Sequence, residues 1–401
     1  MEFKINTYPP ATRGIIIVWG MLVCLPFGGM VWQVYHYLVP LRRLGFDVWY
    51  VEESDRNLFN AAENYSESED YSANVALLNQ YMEMIGLDSR WIYGRPGKNE
   101  PYVGAKNRRG LEDLYRHADA VINLCGAHDI IVNSNDFNCL IYIDTDPVET
   151  QVRVANGDEK QIRKLDPYQY HFSYGENLGA DDCAVPVTRY QWLPTRPPVC
   201  LDFWHTETPP PATARITTVA NLKSSYKTVE WKGEIWRWSK HYEFNKFIDV
   251  PRRTTLAVEL ALGAGLSESE MKNIHKHGWH IINSRLLDDP LEYRKYIQQS
   301  LGEFSVAREQ YVRPRSGWFS DRSVCYLASG RPVIMQDTDF GKFIPTGKGL
   351  FSFGNIDEAQ NALAEIASDY SRQSKAAVEI AQTYFDANKV VGEILSRVGL
   401  L

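Results

Sequence analysis

Apolar residues fall along this chain in two alternating rhythms. Short unbroken apolar runs, suited to strands buried on both faces, alternate with longer stretches whose apolar positions recur every three or four residues, as on one face of a helix. Gly14-Ile-Ile-Ile-Val-Trp19 opens the series as a buried strand. Leu25-Pro-Phe-Gly-Gly29 is a turn-rich loop. Residues 31–44 are amphipathic, end in Arg42-Arg43 and are closed by Gly45, as a helix is. Asp47-Val-Trp-Tyr-Val51 is the next strand and ends at Glu52-Glu53. Strand, loop, helix and strand in this order predict a right-handed crossover between parallel strands. Further strands with their turns are expected over 119–126, 139–143 and 171–177, with a helix over 74–86 and a surface loop over 94–109.

Prolines punctuate the middle of the chain: Pro194, Pro197-Pro198 and Pro209-Pro210-Pro211 form a semi-rigid linker. Beyond it Ile216-Thr-Thr-Val-Ala220 starts a second series. Its other strands are expected over 256–262, 279–282, 333–335 and 350–353, with helices over 267–277 and 290–299. Residues 356–370 and 374–398 read as a helical tail. The expected fold class is α/β, with two doubly wound, Rossmann-like domains, a cleft between them and C-terminal helices. The expected division is 1–195 for the first domain, 196–215 for the linker, 216–385 for the second domain and 386–401 for a last helix crossing back to the first.

Within the second series, residues 316–340 carry the densest signal. Ser316-Gly317-Trp318 is a loop. Ser320 is an N-cap candidate for a helix whose apolar face holds Val324, Leu327 and Ala328. Gly330 suits the left-handed position after that helix, and Pro332 bars its continuation. Val333-Ile-Met335 is a buried strand, and Gln336-Asp-Thr-Asp-Phe340 comes after it. A helix N-terminus offers unpaired N–H groups to a diphosphate. Arg322 and Arg315 are positioned to add charge-assisted bonds.

The order Gly-Trp, Ser-Asp-Arg-Ser, Gly-Arg-Pro-Val-Ile, Gln-Asp-Thr-Asp-Phe resembles the donor-binding segment of GT-B-fold, nucleotide-sugar-dependent glycosyltransferases, most strongly over residues 305–385. The resemblance implies a nucleotide-diphosphate sugar as donor, with a UDP-sugar favoured, and no bound cofactor. It implies donor contacts from Ser316, Gly317, Trp318, Ser320, Asp321, Arg322, Ser323, Asp337 and Thr338. It also implies a cleft-facing loop at Gly28 and Gly29, and an acceptor on the first domain. Many such enzymes place a Glu five or six residues before the turn glycine to hold the ribose. Here Cys325 and Val324 stand there, which leaves Asp321 or Asp337 for that contact, or none.

Composition narrows the class. A chain of 401 residues suits two cores better than one. A net charge of −7 argues against a broad nucleic-acid footprint, while Lys98, Lys106, Arg108 and Arg109 keep a local basic stretch. The six cysteines show no C-x-x-C spacing, which fits a reducing cytoplasm and gives no zinc signature. Residues 14–41 are apolar but contain Pro26-Phe27-Gly28-Gly29, Gln33, His36 and Pro40, so a strand, loop and helix explain them better than a membrane span. The preceding Glu2, Lys4 and Pro9-Pro10 do not read as a signal peptide. The expected location is cytoplasmic.

Glycosyl transfer calls for a base at the acceptor hydroxyl. The candidates that come after strands of the first series are His128, Asp144 and Glu176, with Asp129 beside the first and His36 a weaker choice. Two Asp-Thr-Asp triplets occur, 144–146 and 337–339, and the first resembles the metal-binding Asp-x-Asp of single-domain glycosyltransferases. The two-domain pattern sets that reading aside, and no metal is expected. The leading function is thus transfer of a sugar to an unidentified hydroxyl acceptor. The alternatives are transfer to a hydroxymethylated pyrimidine in DNA, an epimerase or phosphorylase on the same fold, and a two-domain ligand-binding protein without catalysis.

Overall fold

Each of the two apolar series folds into its own sheet, parallel but for an antiparallel edge strand in the first. The computed structural model describes residues 8–63, 66–98, 100–130, 136–224, 226–263 and 265–401. Glu2 and Lys4 lie outside the described residues. The chain divides into two units. The first takes the chain through Thr145, Glu159–Phe172 and Ala387–Leu401; the second takes Asp146–Asp158 and Ser173–Asp386. The second unit therefore includes segments that the sequence pattern assigns to the first domain and the linker. The last helix, Ala387–Arg397, belongs to the first unit, where it contacts the helix Gly28–Arg43.

In the first unit the strands lie in the order Tyr170–Ser173, Leu140–Asp144, Ala120–Leu124, Ile15–Trp19, Asp47–Glu53, Trp91–Gly94, Val103–Gly104. Ile15–Trp19 pairs in parallel with Asp47–Glu53 on one side and Ala120–Leu124 on the other. Chain order reverses between these neighbours, which makes the switch point of a doubly wound sheet. Val103–Gly104 folds back antiparallel on Trp91–Gly94, so part of the expected 94–109 loop is an edge hairpin. The helix Gly28–Arg43 begins earlier than its apolar period suggests. Phe27 is its extended N-cap, and its carbonyl accepts from Met30 and Val31 N–H. Gly28 and Gly29 are thus first-turn helical residues and do not stand in the loop. No helix among the described residues is long and apolar enough to cross a membrane.

In the second unit the order is His280–Asn283, Val258–Leu262, Ile216–Ala220, Gly302–Ser305, Val333–Gln336, Leu350–Phe353, all parallel. Its switch point lies between Ile216–Ala220 and Gly302–Ser305. Ile216, Leu260, Phe304, Ile334 and Phe351 anchor its core, with Phe304 and Phe353 stacked at 5.0 Å between ring centroids. The strand Gly302–Ser305 has no apolar run to announce it, because its second residue is Glu303. That carboxylate is fully buried and bonded to Arg322 at 2.6 Å. The helix Asp321–Ala328 ends as the sequence pattern predicts, at Gly330 with φ of +68°.

Candidate active site

In an open α/β sheet the ligand crevice lies beyond the carboxyl ends of the strands at the switch point. In the second unit that place is bounded by the residues after Ala220 and after Ser305. Three cations converge there. Arg308 comes shortly after Gly302–Ser305. Its guanidinium lies 3.7 Å from the Trp238 ring centroid and donates to the Trp238 carbonyl at 2.7 Å. Arg322 opens the helix Asp321–Ala328 and donates to Glu303, to the Val219 carbonyl at 2.8 Å and to Ser305 Oγ at 3.1 Å. Lys240 is the third. Its turn is tied to the end of Ile216–Ala220: His241 N–H and Ser239 Oγ both donate to the Leu222 carbonyl, at 2.9 and 3.2 Å.

Lys240 differs from the other two. It is only 9% exposed, and among the described residues its Nζ has neither a hydrogen bond nor an ion pair. Burial, and then the charges of Arg322 and Arg308, push its ammonium well below the usual lysine range, against the pull of Glu303 and Asp321. A buried charge without a partner is costly. An anion bound here would supply that partner. The N-terminus of the helix Asp321–Ala328 adds its dipole in the same place. Ser320 holds the N-cap position with extended backbone, but its hydroxyl makes no cap bond. The Arg322 N–H instead meets Asp321 Oδ1 at 2.9 Å.

The donor-loop residues named from the sequence are gathered into one knot. Gly317 N–H donates to the Thr338 carbonyl at 2.6 Å, and Thr338 Oγ1 donates to the Trp318 carbonyl at 2.6 Å. Ser316 Oγ donates to the Tyr311 carbonyl at 3.0 Å. Gly317 needs to be glycine here: its φ is +74°, and a Cβ would lie 2.6 Å from Asn177 N. Asp337 Oδ1 accepts from Asp339 N–H at 2.9 Å, which closes the turn after Val333–Gln336. Arg315 is bound to Asp339 at 2.8 Å. Ser323 Oγ is buried on the helix and has no hydrogen-bond partner among the described residues.

Arg322 differs from the sequence reading. It lies at the expected crevice, but its guanidinium is occupied by Glu303, Ser305 and Val219. Lys240 and Arg308 offer the charge instead, and the sequence reading named neither. In sequence Lys240 is marked only by the tryptophans that precede it, Trp231, Trp236 and Trp238.

The candidate bases are dispersed. His128 lies at the first unit's switch point, as topology predicts, but is 2% exposed. Its ring stacks on Trp19 at 5.0 Å between centroids. Nε2 lies 3.2 Å from Glu53 N–H, which donates to it, and 3.1 Å from the Gly20 carbonyl. Burial pushes its pKa down to about 3. This is a packed neutral imidazole, not a base open to substrate. Glu176 belongs to the second unit and is paired with Arg196 at 2.5 Å. Asp144 ends the strand Leu140–Asp144 and is 4% exposed. Its neighbour in the triplet, Asp146, bonds Lys227 at 3.0 Å and the Tyr311 hydroxyl at 2.7 Å. No group of three or more potential metal ligands occurs among the described residues.

Two doubly wound units and a last helix that belongs to the first unit match the GT-B fold. The likeness to particular solved structures is one of fold. An alpha-glucosyltransferase in complex with UDP and a 13-mer DNA containing a HMU base matches with a TM-score of 0.59 and 10% identity, over 96% of this chain and 99% of that one. HepE of Anabaena in complex with UDP and glucose matches with a TM-score of 0.52 and 12% identity, over 97% and 100%. AviGT4, a glycosyltransferase involved in avilamycin A biosynthesis, matches with a TM-score of 0.50 and 14% identity, over 96% of each chain. No protein-family model and no curated protein matches the sequence.

Proposed function

We propose that the protein is a glycosyltransferase that moves a sugar from a nucleoside-diphosphate donor, UDP-sugar first among them, to a hydroxyl acceptor. The observation that carries this is Lys240: a buried amino group with no hydrogen bond or ion pair among the described residues, beside Arg308, at the switch-point crevice of the second unit and at a helix N-terminus. A diphosphate is the anion whose charge and size fit two cations and a helix dipole. The UDP complexes among proteins of this fold support uridine as the nucleoside.

In the reaction the bond between the anomeric carbon and the diphosphate oxygen breaks, and UDP leaves with the electron pair. A new bond forms to the acceptor oxygen, whose proton is released. Lys240 and Arg308 stabilise the charge that grows on the leaving diphosphate, a role that calls for no metal. Asp144, at the carboxyl end of the strand Leu140–Asp144, is the proposed proton acceptor. The thiol state of all six cysteines supports a cytoplasmic setting.

A second reading concerns the acceptor. One protein of this fold was solved with DNA carrying a HMU base, so hydroxymethylated DNA belongs in the acceptor panel. The test is a set of nucleotide sugars read by thermal shift, then UDP release with each acceptor. Ligand at a hundred times its Kd adds about 2.7 kcal/mol of stability, so the true donor raises Tm measurably. A panel in which no nucleotide sugar shifts Tm or releases UDP contradicts the proposal.

A further inference from the structure

Resting on that reading of the second unit, we propose that Asp146 is a positioning residue for the donor site: one carboxylate that sets both the phosphate-facing cations and the loop 316–318. In sequence the triplet Asp144-Thr-Asp146 looks like a metal motif. Its third residue instead lies at the junction of two arms built inside the second unit.

The first arm runs to the cations. Asp146 Oδ2 meets Lys227 Nζ at 3.0 Å, and that Nζ lies 4.5 Å from the Trp238 ring centroid. Arg308 lies against the same indole at 3.7 Å and bonds its carbonyl. Trp238 is two residues ahead of Lys240 in a segment tied to Leu222. The second arm runs to the loop. Tyr311 donates its hydroxyl to Asp146 Oδ1 at 2.7 Å, and its ring stacks on Trp318 at 4.3 Å and 27°. Trp318 is fixed in turn by Thr338, and Ser316 by the Tyr311 carbonyl.

The backbone beside Asp146 is arranged to hold it there. Val148 has φ of +90°, a strained value for a β-branched residue. It is fully buried in a cluster with Val152, Trp236, Trp238 and Tyr311. Such strain persists only where surrounding packing over-determines it, and it gathers at functional sites. The Asp146 side chain is partly exposed, and the desolvation it does undergo would raise its pKa. Lys227, Arg308 and the Tyr311 hydroxyl outweigh burial and keep the carboxylate below its usual range, so it stays charged. Loss of this one charge frees Lys227, and the same carboxylate orders Tyr311.

The test compares UDP and uridine binding by calorimetry, with donor KM and kcat, for wild type and Asp146→Asn, Asp146→Glu, Lys227→Met and the Asp146→Asn/Lys227→Met double variant. Asp146→Asn is expected to weaken UDP binding about tenfold, the loss of roughly one charge-assisted bond. Donor KM rises with it, while uridine affinity and the circular dichroism spectrum stay as in wild type. Asp146→Glu recovers part of the loss. The double variant is no weaker than Asp146→Asn alone, because both changes break the same arm. If Asp146→Asn does not fold, Lys227→Met and Tyr311→Phe, at the far ends of the two arms, carry the same expectation, and unchanged UDP affinity in both overturns it. A folded Asp146→Asn that binds UDP like wild type overturns the role of Asp146 alone. Wild-type UDP binding that EDTA abolishes and Mn²⁺ restores only while Asp146 is present makes it a metal ligand and also overturns it. A wild-type protein that binds no nucleoside diphosphate overturns the donor reading together with this one.

Discussion

Arg322 Nε donates to Glu303 Oε1 at 2.6 Å, and the glutamate is fully buried in the strand Gly302–Ser305. This pair joins the start of the helix Asp321–Ala328 to the floor of the crevice. Removing one partner of a buried pair leaves an uncompensated charge and costs about 3–5 kcal/mol. Arg322→Met is therefore expected to lower unfolding stability by that order, read by urea denaturation. Arg322→Met/Glu303→Gln should recover a good part of it. An Arg322→Met protein as stable as wild type would mean that the pair contributes little.

The setting of Lys240 predicts a pH dependence of donor binding. In the free protein burial, Arg322 and Arg308 depress its pKa. A bound diphosphate raises it. The extra affinity is fully present below the free-state pKa and is lost as pH rises toward the bound-state value. Between the two, one proton is taken up on binding, and Kd for UDP rises by up to about tenfold per pH unit. Calorimetry in buffers of different ionisation enthalpy reads the uptake directly. The same slope in Lys240→Met would assign it to another group.

His128 predicts an acid limb in stability. Its folded pKa of about 3 lies below the unfolded value near 6.5. The stability tied to its neutral form is thus present above pH 6.5 and is lost as pH falls toward 3. His128→Gln, which keeps a polar group but cannot gain a proton, should flatten this limb in denaturant midpoints measured from pH 7 to 3. An unchanged limb would place the acid sensitivity elsewhere.

Asp144 predicts a catalytic effect without a binding one. General-base assistance is worth about 10²–10⁴ in rate. Asp144→Asn should lose kcat by that range and keep UDP affinity, measured by UDP release and calorimetry on the same preparation. Near-normal kcat would remove Asp144 as the proton acceptor.

Much of the fold was legible because strands buried on both faces write themselves as apolar runs. Ile16, Ile17, Val18, Val333, Ile334 and Met335 are all fully buried, and Gly330 punctuates the helix before Val333–Gln336 as expected. The strand Gly302–Ser305 stayed hidden because its second residue is a carboxylate, tolerable there only through an arginine 19 positions away in sequence. The same pairing misdirects the reading of the site. A cation at a helix start looks available for phosphate, yet Arg322 is occupied by a partner that no local pattern reveals. Lys240 escaped notice for the opposite reason: its meaning lies in having no hydrogen-bond or ion-pair partner among the described residues, which is a property of the folded crevice. His128 was placed correctly by topology, but its exposure depended on Trp19, Gly20 and Glu53, which are distant in sequence.

Lys240 and Arg308 as a diphosphate site are tested most directly by the affinity of UDP and of uridine for wild type and Lys240→Met. Lys240→Met is expected to weaken UDP binding by at least about tenfold, the worth of one charged hydrogen bond. Uridine affinity and thermal stability should hold. UDP binding equal to wild type in a folded Lys240→Met protein would contradict it and place the donor phosphates elsewhere.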